Sequence, residues 1–279
     1  MPEDRLQQQR FEQKYIVPEA TALHIRDFLG AYLELDENGV GKPNLSYPVH
    51  SLYLDSDRLS LYWETINGNK NRFKLRLRFY NDDPATPVFF EIKRRVNNCI
   101  LKQRGGVRRE AVRWLLAGHF PEPDHLLTRD ARQLVALQRF CQLMSEIHAR
   151  SKVHICYLRE AWVSTLDNSV RVTLDRQVLA EPNLVARIST EVRQPVPVFR
   201  RPNVILELKF TNRFPDWFRE LVRLFNCMQC GAAKYVEGAA MIGEQNLGAE
   251  AALLAQASLE EHPSLVSLAH DGTSAYASR

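Results

Sequence analysis

One segment of the sequence alternates basic and apolar residues without a break. Arg72, Lys74, Arg76 and Arg78 occupy every second position, with Phe73, Leu75, Leu77 and Phe79 between and after them. Because successive residues of a β-strand point to opposite faces, this spacing places the basic side chains together on one face. Like charges on one face of a strand repel each other. The pattern therefore predicts an anionic ligand over this face.

Charged residues share a face on several other predicted strands. A carboxylate precedes a lysine by two residues in Glu12/Lys14, Glu91/Lys93 and Glu207/Lys209, and further charges are Lys102, Arg104, Arg159, Arg171 and Asp175. Most charged residues lie on solvated outer faces, which is the alternative interpretation for any single residue. Repetition over many strands instead favours a barrel with its charges in the lumen and amphipathic helices over its apolar outer face.

A lumen lined by cations has a specific chemistry. Unpaired buried charges are costly because they lose their hydration, and a chain of phosphates with water would offset that cost. Arginine binds phosphate oxygens through a planar fork, whereas lysine provides a mobile point charge. Glutamates beside such a chain can hold a divalent metal whose other ligands are phosphate oxygens. These residue types therefore indicate oligophosphate binding with a metal ion.

The elements that would position these residues follow from periodicity and turn signals. Strands are predicted at 9–17, 49–55, 72–80, 87–96, 99–104, 152–165, 169–175 and 204–211, with a further strand near 187–193. Helices are predicted at 19–33, at 57–66, from an N-cap at Thr128 to 148, and from Pro215 to a cap at Gly231. We predict an α+β fold, an antiparallel β tunnel barrel with a charged lumen flanked by amphipathic helices. This domain would span residues 9–244, between a flexible N-terminus at 1–8 and an Ala/Ser-rich tail at 245–279.

Composition narrows the location and the partners. The formal net charge of +4 is only mildly basic, so the placement of charge carries more information than its total. We expect a cytoplasmic protein without a transmembrane segment, because there is no long apolar run and the N-terminus is polar. The lone Cys227-x-x-Cys230 pair supplies only half of a zinc site. Nucleic acid is not expected as a partner, since Phe73 and Phe79 point away from the cationic face.

Taken in order along the chain, these motifs resemble a known family. The carriers of the resemblance are Arg10-Phe11-Glu12-Gln13-Lys14-Tyr15, Ser51-Leu52-Tyr53-Leu54-Asp55, Lys74-Leu75-Arg76-Leu77-Arg78-Phe79-Tyr80, Glu91-Ile92-Lys93-Arg94-Arg95, Lys102-Gln103-Arg104, Tyr157-Leu158-Arg159-Glu160-Ala161, Arg171-Val172-Thr173-Leu174-Asp175, Ile205-Leu206-Glu207-Leu208-Lys209-Phe210 and Lys234-Tyr235. Over about 8–240 the chain resembles the VTC domain of polyphosphate polymerases. That domain belongs to the triphosphate tunnel metalloenzyme superfamily, which also contains CYTH-type triphosphatases.

The resemblance implies roles for individual residues. Lys14, Arg76, Arg78, Lys93, Arg159 and Arg171 would grip phosphates as catalytic residues, and Lys102, Arg104, Lys209 and Lys234 would bind substrate along the tunnel. Glu207 would be the leading ligand of Mn or Mg, with Glu12, Glu91 and Asp175 as helpers. The superfamily's Glu-x-Glu-x-Lys signature begins here with Arg10 in place of the first glutamate, as in VTC-type members. The SPX domain and membrane helices of eukaryotic polymerases have no counterpart in this sequence, so any coupling to a membrane would need a separate partner.

Three functions agree with this pattern. The leading hypothesis is a polyphosphate polymerase, which transfers the γ-phosphate of ATP to a growing polyphosphate chain with the help of a divalent metal. The first alternative is a triphosphatase that hydrolyses tripolyphosphate or nucleoside triphosphates at the same site. The second is a non-catalytic polyphosphate-binding module. The sequence itself does not distinguish these three.

Overall fold

The computed structural model describes residues 10–97, 99–164, 169–200, 202–211 and 213–249, together with residues 251 and 253. The predicted N-terminal segment 1–8, the first residue of the strand predicted at 9–17, the last residue of the strand predicted at 152–165 and most of the predicted tail 245–279 lie outside the described residues. The strands are β1 (Arg10–Pro18), β2 (Glu34–Leu35), β3 (Tyr47–Asp55), β4 (Asn71–Phe79), β5 (Val88–Val96), β6 (Cys99–Val107), β7 (Arg150–Val163), β8 (Val170–Pro182), β9 (Val196–Pro197) and β10 (Asn203–Thr211). The helices are α1 (Glu19–Leu29), α2 (Ser60–Ile66), α3 (Ala111–Leu116), α4 (Ala131–Glu146), α5 (Asp216–Leu224) and α6 (Lys234–Ile242).

The strands form a ring of antiparallel pairs. Their order is β7-β3-β4-β5-β6-β1-β10-β8, and β8 pairs back with β7. The shortest pairing joins β1 to β6, where a single pair within the described residues, Arg10 with Ile100, is in register. The short strands β2 and β9 add to β7 and β8. This α+β architecture is the predicted antiparallel β tunnel barrel.

Amphipathic helices cover the outside of the barrel, as the sequence pattern predicts. The helix α4 packs Leu137 and Phe140 against β5, where Phe140 meets the ring of Phe90 edge-on. On the opposite side, α1 and α5 cover β1, β8 and β10, and Phe218 of α5 is fully buried there. Each buried side chain of this size contributes roughly 1.5–3 kcal/mol. The outer apolar face therefore holds the helices in place and leaves the inner face for charge.

The helix α6 packs against the inner face of the barrel, a feature that the sequence pattern did not indicate. Ile155 on β7 lies opposite Ser51 on β3, whose hydroxyl accepts hydrogen bonds from Arg78, so this face is the interior. Tyr235 and Val236 of α6 pack with Ile155 in one buried apolar cluster. A Cβ at Gly238 would lie 2.6 Å from Ile155 Cδ1 and 3.0 Å from Ala180 Cβ, so any larger residue would force one of these elements or side chains to shift. The helix thus fills part of one end of the lumen.

Several predicted boundaries are wrong: α1 ends at Leu29 and not at 33, β8 continues to Pro182 and does not end at 175, and two further boundaries differ for local reasons. The helix α4 begins after Asp130, whose carboxylate accepts a backbone N–H of the first turn at 2.8 Å, and not after Thr128. The strand β6 does not end before Gly105 but continues to Val107. A Cβ at Gly105 would lie 2.9 Å from the Gln133 carbonyl oxygen, so glycine here permits close packing of α4 on the strand.

Two other predictions fail in irregular segments. The helix α5 ends well before Gly231, because Asn226 adopts a φ of 47° that a right-handed helix cannot continue. Residues 187–193, all of which are described, form no strand. The Asn183 side chain accepts from the Arg187 N–H at 2.9 Å and donates to its carbonyl oxygen at 2.8 Å. Such side-chain bonds compete with strand pairing.

Candidate functional site

The lumen brings together most of the predicted site. Ion pairs and hydrogen bonds connect these side chains inside the barrel: Glu12, Lys14, Arg76, Arg78, Glu91, Lys93, Lys102, Arg159, Asp175, Glu207, Lys209 and Lys234. They come from β1, β4, β5, β6, β7, β8, β10 and α6, so the strand alternation predicted from sequence places them on one shared face. We call this set the lumen cluster.

Two carboxylates and two cations form the most buried part of the lumen cluster. Arg159 binds Asp175 through two parallel bonds of 2.7 Å. The Lys234 ammonium lies 2.7 Å from Asp175 Oδ2 and 2.8 Å from Glu207 Oε1. Burial opposes the charge on Lys234, but the two carboxylates outweigh it and raise the pKa of Lys234. Burial also opposes the charge on Asp175, but Arg159 and Lys234 lower the pKa of that carboxyl.

A second part of the lumen cluster joins β1, β5 and β10. The Lys14 ammonium lies 3.1 Å from Glu12 and 3.6 Å from Glu207, and Lys93 lies 3.0 Å from Glu12. Lys209 contacts Glu207 at 2.7 Å. Burial lowers the pKa of Lys209 to about 8, against the opposing effect of Glu207. All three Glu-x-Lys pairs of the sequence therefore face the lumen, because Glu91 and Lys93 lie on the same face of β5.

The arginines of β4 are held by one carboxylate and by aromatic hydroxyls. Arg76 lies 2.7 Å from Glu91 and donates to the Tyr53 hydroxyl at 3.1 Å. Arg78 donates to the Tyr157 hydroxyl at 3.0 Å. The two tyrosines were not among the predicted site residues. The signal that could have found them is their alternation with other lumen-facing positions on β3 and β7, since Tyr157 is two residues from Arg159.

Three basic residues near the lumen form no ion pair with a carboxylate of the lumen cluster within the described residues. Lys74 faces the lumen without an ion pair to any described residue, and burial together with Lys14 and Lys93 lowers its pKa well below the usual range. Arg171 lies opposite Lys209 on the lumen-facing side of β8, but its ion pair is with Asp36, at 2.9 Å. Arg104 is exposed and stacks over the Phe89 ring at 4.6 Å. The register places both Arg171 and Arg104 at lumen-facing positions, Arg104 opposite Glu91, but within the described residues neither forms an ion pair with a member of the lumen cluster.

The carboxylates of the lumen cluster have a donor set that fits a phosphate-bound divalent ion. Asp175 Oδ2 and Glu207 Oε1 both lie within 2.8 Å of the Lys234 ammonium, so an ion shared by these two oxygens would have to displace this lysine. Within the described residues no group of three or more His, Cys, Asp or Glu side chains could hold a metal alone. Mg²⁺ commonly uses one or two carboxylates and completes its octahedron with phosphate oxygens and water. A divalent ion would therefore fit here only together with phosphate.

Comparison with known proteins agrees with this geometry. The family model of the VTC domain matches residues 9–242. The chain belongs to the VTC domain family. The match covers every strand of the barrel, and it includes α6. The lumen cluster described above is thus the interior of a VTC domain.

One curated relative and two solved structures are similar to this VTC domain. Subunit 2 of the vacuolar transporter chaperone complex of Schizosaccharomyces pombe is 28% identical over 148 residues, which are 50% of this chain and 20% of that protein. The match therefore spans one fifth of the relative's length. A candidate adenylate cyclase from Bacillus halodurans is 12% identical, with a TM-score of 0.47 over 81% of this chain and 94% of its own. A Pyrococcus horikoshii protein is 11% identical, with a TM-score of 0.41 over 82% and 96%.

The longest helix within the described residues, α4, has 16 residues. Across the described part of the chain, no helix combines the length and the apolar composition that a membrane-spanning helix requires.

Proposed function

We propose that this VTC domain is a polyphosphate polymerase that transfers the γ-phosphate of ATP to the end of a growing polyphosphate chain. The observation that carries the proposal is the lumen cluster, where basic side chains outnumber the carboxylates and leave Lys74 without a counterion among the described residues. An enclosed excess of positive charge destabilises the free protein, and an anionic ligand offsets this cost. Membership of the VTC family supports polyphosphate as that ligand.

The residues of the lumen cluster act by position and charge. Phosphoryl transfer requires little covalent chemistry from a protein, which aligns donor and acceptor and stabilises the charge of the transferred group. Arg76, Arg78 and Arg159 would bind phosphate oxygens through fixed forks, whereas Lys14 and Lys93 would follow the chain as point charges.

Glu207, assisted by Asp175, would hold Mn or Mg together with phosphate oxygens. When bound, that ion would supply charge neutralisation on the phosphates. Glu12 and Glu91 are already held by two basic side chains each, Glu12 by Lys14 and Lys93 and Glu91 by basic residues of β4 and β6. Glu207 itself contacts four basic side chains, Lys14, Arg159, Lys209 and Lys234. The number of basic partners therefore does not separate the leading ligand from Glu12 and Glu91, which would assist it.

The products of the reaction test this proposal. Purified protein is incubated with ATP and Mn, and the products are separated by chain length. We expect long polyphosphate and ADP. Orthophosphate as the only new phosphate species would show a triphosphatase instead, and binding of polyphosphate without turnover would show a non-catalytic module.

A matched pair of variants separates catalysis from folding. We expect Glu207→Gln to lower turnover by about two orders of magnitude or more while polyphosphate still binds. Glu160→Gln is the control, because Glu160 is also a buried carboxylate and pairs with Arg26 and Arg176 at 2.7 Å each, outside the lumen. Equal losses of turnover in both variants would mean that Glu207 has only a structural role.

A further inference from the structure

The neighbouring strands β4 and β5 place cations opposite cations at one end of the barrel. Arg72 lies opposite Arg95, and Lys74 lies opposite Lys93, whereas the next pair toward the centre is an arginine–glutamate ion pair. Like charges directly opposite each other in a sheet are destabilising. Two successive pairs of this kind therefore reduce the stability of the free protein.

The outermost of these cations form no ion pair within the described residues, although the carboxylate of Glu64 lies close enough to act on the charge of Arg72. Lys70, Arg72 and Arg95 form no ion pair there, and each arginine donates to a single backbone carbonyl oxygen, at 2.8 Å for Arg95. We call these three residues the basic rim. Neutral carbonyl oxygens satisfy the N–H groups but do not compensate the charge. The basic rim thus keeps its attraction for an anion.

The basic rim borders a depression at this end of the barrel. Gly68, Lys70, Arg72, Arg95 and Asn97 line this space, which has a volume of about 580 Å³. The next positions along the two strands on the same face are Lys74 and Lys93, which belong to the lumen. A continuous row of cations therefore runs from the lumen cluster to the outside.

The helix α6 fills the β7 and β8 side of the lumen at one end of the barrel. The cations of β4 and β5 therefore line the side that remains open there. The helix packs against β7, β8 and β9 and contacts α2, the helix that leads into β4. The helix α6 and the basic rim are therefore at the same end of the barrel. On the side of α6 the inner face carries apolar residues such as Val153, Ile155 and Ala180. A linear anion that passes this end would follow the cations of β4 and β5.

We propose that the basic rim is a second binding subsite for linear polyphosphate, which holds the part of the chain that extends beyond the lumen cluster. This inference rests on the proposed function, since it takes polyphosphate as the ligand. The subsite would favour long chains over tripolyphosphate, because only a chain that extends past Lys74 can reach Arg72 and Arg95.

Binding of short and long chains to the same variant tests this subsite. The variant Arg72→Ala/Arg95→Ala is titrated with tripolyphosphate and with long-chain polyphosphate at several salt concentrations. For the long chain we expect a roughly tenfold loss of affinity and a salt slope that is shallower by about 1.4, as for two lost phosphate contacts. The affinity for tripolyphosphate should stay unchanged.

Arg94→Ala is the matched control for Arg95→Ala. Arg94 is exposed and neighbours Arg95 in β5, but it points to the opposite face. Its removal should change neither affinity. Equal losses for both ligands in the double variant, or no loss for either, would overturn the subsite. If the unaltered protein binds long chains through the basic rim but does not bind tripolyphosphate, the lumen proposal fails and the subsite stands; if it binds neither, both fail.

Discussion

Lys74 is the residue at which function and stability conflict most directly. Its neighbours Lys14, Lys93 and Arg76 are all basic, and its pKa is lowered well below the usual range, first by burial and then by these charges. We expect Lys74→Met to stabilise the free protein by about 1–2 kcal/mol, because an apolar side chain of similar length avoids the desolvation cost. The same variant should bind tripolyphosphate more weakly. Thermal unfolding without phosphate and calorimetric titration measure the two effects.

Lys93→Met is the control at this scale. Lys93 has the ion pair with Glu12 that Lys74 lacks, so its removal leaves Glu12 with one lysine fewer. We expect this variant to weaken phosphate binding without stabilising the protein. A lower melting temperature of Lys74→Met than of the unaltered protein would contradict the inference that the charge of Lys74 destabilises the free protein.

Among the helices and strands, α6 both packs against apolar residues inside the barrel and supplies a residue of the lumen cluster. Its first residue, Lys234, contacts Asp175 and Glu207, and Gly238 one turn later packs against Ile155. We expect Gly238→Val to destabilise the protein by roughly 1–3 kcal/mol through overpacking. It should also weaken tripolyphosphate binding, since a displaced α6 moves Lys234. Denaturant unfolding and titration check these two outcomes.

Gly231→Ala provides the comparison for α6. A Cβ at Gly231 would meet no atom within 4 Å, so this change should leave both stability and binding close to those of the unaltered protein. If Gly238→Val unfolds more easily but keeps its full affinity, then the position of α6 does not control Lys234.

For the whole molecule, stability should fall in mild acid because of a buried histidine pair. His50 Nδ1 lies 3.1 Å from His154 Nε2, and His154 Nδ1 lies 3.5 Å from Glu181. These residues join β3, β7 and β8. Burial, and then His154, lower the pKa of His50 to about 4, with Asp82 and Glu181 opposing. Between that value and about 6.5 the unfolded chain binds more protons than the folded one, so the free energy of unfolding decreases as pH falls through this window.

The expected loss is about 3 kcal/mol between pH 6.5 and pH 4, at about 1.4 kcal/mol per pKa unit. Urea unfolding at several pH values measures it. In His50→Gln, the free energy of unfolding should decrease less between pH 6.5 and pH 4. We call this part of the pH profile the acid limb. His24→Gln, at an exposed position on α1, should not change it. An unchanged acid limb in His50→Gln would assign the loss to other groups.

Local alternation was sufficient to predict which residues share a face. The period of two in β4, and the Glu-x-Lys pairs of β1, β5 and β10, predicted an inward set that the structure brings into one lumen cluster. The outer helices followed from apolar periodicity in the same way. These properties depend on neighbours within a few residues, so they can be read from the sequence.

Contacts between distant parts of the chain were decided only by the tertiary structure. The inner position of α6, the pairing of Arg171 with Asp36 and the hydroxyls of Tyr53 and Tyr157 beside the arginines depend on how strands far apart in sequence are arranged. The same holds for the continuation of β6 through Gly105, which requires α4 to lie close by. The sequence alone determined the composition of each strand face, because that is local geometry. Which charges became partners, and which remained without one, depended on the closure of the barrel.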